Sequence, residues 1–155
     1  MVGALMRRDT LARLLVIGFE AYVMVEDYHS SHSSASIGFW NREKATWGKY
    51  YAIVEFASDR YIRASSPIEA KNLQPYAPRT WYKIRLVLDR SANTFSVWID
   101  DKLKASDIKT IDTYEIDALE LGSGWGSVQC YFDDVRVFAI PVSYTHLTLP
   151  TNREV

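Results

Sequence analysis

The sequence predicts an all-β fold, an antiparallel two-sheet β-sandwich, on three observations. In Trp81–Asp101 (WYKIRLVLDRSANTFSVWIDD), Tyr82, Ile84, Leu86 and Leu88 alternate with Trp81, Lys83, Arg85 and Val87, and Phe95, Val97 and Ile99 alternate with Ser96, Trp98 and Asp100. Alternation of period two on both sides of the polar Asp89–Thr94 connection is the pattern of a β-hairpin. From Ile17 to Ile140 some seven or eight short segments of strand character follow one another with polar turns between them, as in a sandwich. No segment of ordinary helix length in that interval carries an apolar stripe at helical spacing.

Each element follows from its residues. Phe19–Asp27 (FEAYVMVED) is the first strand, with Phe19, Ala21, Val23 and Val25 on one side. His29–Ser36 is Ser-rich and reads as a loop, Ile37–Trp40 as a short strand, and Asn41–Lys49 as a polar connection that holds Trp47. Tyr50–Ala57 is apolar on both sides apart from Glu55, which suits a strand in the middle of a sheet. Ser58-Asp59 turns into the strand Arg60–Ala64. Ser65–Thr80 contains Pro67, Pro75 and Pro78 and predicts a long, largely irregular crossover. In the hairpin, pairing Leu88 with Phe95 sets Leu86 opposite Val97 and Ile84 opposite Ile99 on an apolar face. The same register sets Arg85 opposite Trp98 and Lys83 opposite Asp100 on the other face. A slip of one residue would turn Lys83 and Arg85 into the core, so the register is strongly specified. Lys102–Thr113 reads only as polar, and Ala118–Leu121 and Val128–Ile140 are the last two strands, separated by the Gly122–Gly126 turn.

The 155 residues fit one domain with one core. Apolar content of 48% with 24% charged residues is that of a globular chain. A net charge of −1 without a basic run lacks the electrostatic footprint of a nucleic-acid binder. Cys130 is the single cysteine, which excludes an internal disulfide and a cysteine-rich zinc site. No apolar run reaches the roughly 20 residues that span a bilayer. The expected organisation is an N-terminal extension at 1–16, the sandwich at 17–141, and a non-native tail at 142–155. The start, MVGALMRRDTLARLLVIGF, imitates a signal peptide, but Asp9 and Arg13 interrupt its apolar part. Val142–Thr151 (VSYTHLTLPT) resembles translated sequencing-adapter DNA, which implies a gene cut near Ile140 or Pro141 and a domain truncated at one or both ends.

From Trp81 to Phe138 the chain carries a tryptophan that opens a strand, the hairpin end Trp98-Ile99-Asp100, a later LELGSG and a closing YFDDVRVF. Together these resemble the concanavalin A-like jelly roll, and more narrowly laminin-G-like and related carbohydrate-associated domains. The resemblance implies a non-catalytic carbohydrate-recognition or adhesion module of a larger extracellular or cell-surface protein, with a fragment of a retaining glycoside hydrolase or a structural spacer domain as the alternatives. It also implies a glycan or surface polysaccharide as partner, beside neighbouring domains of the same chain. One departure stands out: Asp100-Asp101 occupies a turn where that family has Asp-Gly, and Asp tolerates the left-handed conformation less well than Gly.

Candidate site residues follow in two sets. Arg85 and Trp98 offer a guanidinium beside a flat indole, suited to stacking on a sugar ring and bonding its hydroxyls. The competing expectation is that the Ser65–Thr80 crossover or another domain covers Trp98. Trp125, between glycines, and then Trp47 are the tryptophans best placed to sit on a rim. The second set, Glu115, Asp117 and Glu120, resembles the active-site strand of retaining β-glucanases on the same jelly roll, and would be nucleophile, helper and acid/base. That chemistry needs two carboxyls about 5–5.5 Å apart. Against it, the hairpin precedes the motif here, whereas in those enzymes it follows. No cofactor is expected from the sequence, apart from rim calcium, which the resemblance allows at Asp133 and Asp134. His29 and His32 lack a third ligand and are expected to be solvated, and Cys130 to be a small core residue.

Overall fold

The computed structural model of the chain describes residues 15–43, 51–111, 113–123 and 128–141. Trp47, Trp125, residues 1–14 and the tail from Val142 lie outside them. The strands in the described residues are β1 (Val16–Val25), β2 (Ala35–Trp40), β3 (Ala52–Phe56), β4 (Tyr61–Ser65), β5 (Ala70–Pro75), β6 (Tyr82–Asp89), β7 (Thr94–Ile99), β8 (Lys102–Lys109), β9 (Ala118–Gly122) and β10 (Cys130–Ala139). A 3-10 turn, Thr113–Glu115, precedes β9. A front sheet runs β10-β1-β6-β7-β8 and a back sheet β5-β4-β3-β2-β9, and every strand pairing is antiparallel.

The hairpin β6–β7 has the expected register: Leu88 faces Phe95, Leu86 faces Val97, Ile84 faces Ile99 and Arg85 faces Trp98. Its aliphatic side chains are fully buried, each contributing about 2 kcal/mol by leaving water. They meet Ile37, Phe39, Val54, Phe56 and Ile62 of the back sheet in one core. Phe19 and Phe39 lock the two sheets edge to face, with ring centres 5.9 Å apart. β3, apolar on both faces, lies in the middle of its sheet as its composition requires.

Three expectations change. Ser65–Thr80 is not largely irregular, because it contains β5, which pairs with β4 along the edge of the back sheet. Its AKNLQP sequence is polar since that edge is exposed, and Pro75 is tolerated at its end. The polar Lys102–Thr113 contains β8, whose alternation two register breaks obscure. His29 is buried, not solvated: its Nδ1 accepts the backbone N–H groups of Ser31 at 3.1 Å and His32 at 2.9 Å, which pins the loop.

The Asp100-Asp101 turn holds both aspartates in a conformation that favours glycine. Asp100 and Asp101 have φ of 51° and 66°, so both central residues of the β7–β8 connection are left-handed, as a two-residue hairpin turn demands. The two edge strands of the front sheet each carry a further left-handed aspartate at a bulge. In β8 it is Asp107 (φ 56°), and in β10 it is Asp134 (φ 49°).

Candidate functional site

The outer face of the front sheet carries the candidate site. Cross-strand pairing places Arg136 of β10, Glu20 of β1, Arg85 of β6, Trp98 of β7 and Leu103 of β8 in one row across all five strands. Alternation explains most of it, because Phe19, Ala21, Ile84, Leu86, Val97 and Ile99 turn inward and leave their neighbours outside. Arg136 needs more. Between Phe132, opposite the inward Val23, and Val137, opposite the inward Phe19, β10 contains one residue more than strict alternation permits. The bulge at Asp134 absorbs it and turns Arg136 and Phe138 outward.

The polar groups of this face pair with one another. Arg85 Nε donates to Glu20 Oε1 at 3.1 Å, and the Arg85 guanidinium lies over the Trp98 ring, 5.8 Å from its centre. Glu20 is only 7% exposed, at the floor of the row. Lys83 Nζ donates to Asp101 at 2.9 Å and Arg85 reaches the same oxygen at 3.5 Å. The expected Lys83–Asp100 ion pair is thus made by Asp101 instead, while Asp100 accepts the backbone N–H of Lys83 at 2.9 Å. Arg136 pairs with Asp134 at 3.0 Å. These bonds to the charged forms push Lys83 and Arg136 above their usual range and pull Asp101 below it. Asp101 is largely exposed, so its pairs are weak and exchangeable.

Around this row lies an open depression of ≈ 780 Å³, lined among others by Glu20, Lys83, Arg85, Arg136, Val135 and Phe138. The Phe138 ring rests against Gly18, where a Cβ would lie 2.2 Å from the ring edge, so glycine is what lets the ring lie flat there. Of the sequence-predicted pair, Arg85 lines the depression, and Trp98 borders Arg85 one strand further on. The Ser65–Thr80 segment does not cover Trp98, because β5 belongs to the opposite sheet. Glu20, Arg136 and Phe138 were missed. Parity in FEAYVMVED exposes Glu20 to detection, whereas Arg136 and Phe138 depend on the bulge.

The second set of candidates lies on other elements. Glu115 lies in the 3-10 turn and accepts from Tyr51 Oη at 3.5 Å. Asp117, in the loop before β9, accepts the Arg42 N–H at 3.1 Å. Glu120 stands on β9, where Ser36 Oγ donates to it at 3.5 Å and burial raises its pKa. Asp133 accepts the N–H of Asp134 at 2.8 Å, and Asp134 holds Arg136. Among the described residues no group of three His, Cys, Asp or Glu side chains gathers as metal ligands, and no helix is long and apolar enough to cross a membrane. Cys130 is half-buried against the core, which pushes its thiol pKa up.

No protein-family model matches the sequence, and a search of curated proteins gives no match. Solved structures share the fold. A Trypanosoma rangeli sialidase in complex with sialic acid superposes with a TM-score of 0.66 at 14% identity, over 86% of this chain and 23% of that one. A carbohydrate-binding module from Bacillus subtilis matches with a TM-score of 0.54 at 12% identity, over 79% of this chain and 74% of that one. An alginate lyase of polysaccharide lyase family 7 matches with a TM-score of 0.61 at 7% identity, over 81% of this chain and 60% of that one. The chain spans between 13% and 23% of the length of the sialidases it resembles. At these identities the likeness is one of fold.

Proposed function

We propose that this chain is a non-catalytic carbohydrate-recognition module that binds its glycan on the outer face of the front sheet. The observation that carries the reading is the row Arg136–Glu20–Arg85, which sets planar donors and an acceptor at an open depression, with the Trp98 indole one strand beyond it. A carbohydrate-binding module of comparable extent on the same fold supports it. In this reading the chain is a laminin-G-like module of a longer, secreted or surface-attached polypeptide.

A glycan array probed with wild type, Trp98→Ala and Arg85→Met tests this. Wild type is expected to retain at least one glycan, and each variant to lose about tenfold or more in affinity, with Trp98→Ala keeping its unfolding midpoint close to wild type. A wild-type protein that retains no glycan would overturn the proposal.

A further inference from the structure

Resting on that reading of the outer face, we infer that the depression selects uncharged sugars, through hydroxyls that bridge the Glu20 carboxylate and its flanking arginines. Three cations face the depression, Lys83, Arg85 and Arg136, and each already has a carboxylate within reach, from Glu20, Asp101 or Asp134. The face therefore has no surplus positive charge to draw an anionic polymer, and Glu20 at its floor repels one. What the face offers instead is alternation: donor, acceptor and donor on Arg136, Glu20 and Arg85, one strand apart. A sugar hydroxyl is donor and acceptor at once, so neighbouring hydroxyls complete such a row without leaving a charge unpaired. The carboxylate is the selective element, because beside its bond from Arg85 it can accept from a sugar hydroxyl, while its charge repels a second carboxylate. Phe138 supplies the apolar wall for the C–H face of the ring.

The test compares short neutral oligosaccharides (cello-, xylo- and manno-series) with carboxylated ones (polygalacturonate and polyguluronate fragments) by calorimetry on the whole chain. Neutral ligands are expected to bind, with affinity changing less than about twofold between ~0.05 and ~0.5 M salt. Glu20→Gln is expected to weaken that binding by about tenfold or more. Arg136→Met, at a largely exposed side chain whose loss does not threaten folding, is expected to weaken it several-fold. Binding of the carboxylated fragments in preference, or a steep fall in affinity with salt, overturns this inference and leaves the carbohydrate reading standing. Neutral binding unaffected by both variants also overturns it, since the sugar then sits elsewhere. Absence of binding to any glycan overturns the carbohydrate reading and this inference with it.

Discussion

At the scale of single residues, buried charge shows what the fold tolerates. Arg90 is fully buried in the β6–β7 connection, donating from Nε to the Thr113 carbonyl at 2.8 Å and from a terminal nitrogen to that of Ile116 at 3.2 Å. Burial holds its guanidinium pKa below the usual range. Nothing in the sequence distinguishes this arginine from a solvated turn residue, because its acceptors lie more than twenty positions away and belong to an irregular segment. Glu120 is the testable case. Burial raises its folded pKa above the ordinary 4.5, so the folded state keeps the proton to higher pH than the unfolded chain does. Stability therefore falls as pH rises from about 4.5 through the folded value, and the cost persists above it. Glu120→Gln is expected to raise the denaturation midpoint at pH 7, with the gain vanishing below about pH 4. A variant that is less stable than wild type at pH 7 would contradict this account.

At the scale of strands, legibility followed alternation. β6 and β7 were readable to the pairing because every inward position is aliphatic or aromatic and a slip of one residue buries a cation. β5 and β8 were not, because both are exposed edges and lack an apolar face to announce them. The candidate site divides the same way: Arg85 and Trp98 lie on regular strands, Arg136 and Phe138 beyond a bulge. Two strand glycines separate rigid from yielding contacts. A Cβ at Gly38 would lie 2.6 Å from the Ala52 carbonyl oxygen and 2.9 Å from the Ile53 Cα, both backbone atoms of the paired strand. The nearest neighbours of a Cβ at Gly18 are atoms of the Phe138 ring, a side chain that can swing away. Gly38→Ala is expected to cost about 1–3 kcal/mol, and Gly18→Ala under ~1 kcal/mol. Urea denaturation of the two variants checks the order, and equal losses would show that the Phe138 ring is as immovable as the backbone.

At the scale of the whole molecule, closure depends on distant partners. β1 pairs with β10, and β2 with β9, so both sheets are completed by the last part of the described chain. Such non-local pairing predicts refolding on the millisecond-to-second scale. Stopped-flow fluorescence checks it, and full recovery within the dead time would overturn it. The two-sheet architecture was legible from the sequence, since the aliphatic parity of a few strands forces a second layer to cover them. The order of the strands was not, because no local pattern states which distant edge a strand will join. The left-handed aspartates at the rims have one further result. By kinking β8 and β10 they spoil the straight, unpaired margins of the front sheet, on which a second molecule would otherwise lay down its own ribbon.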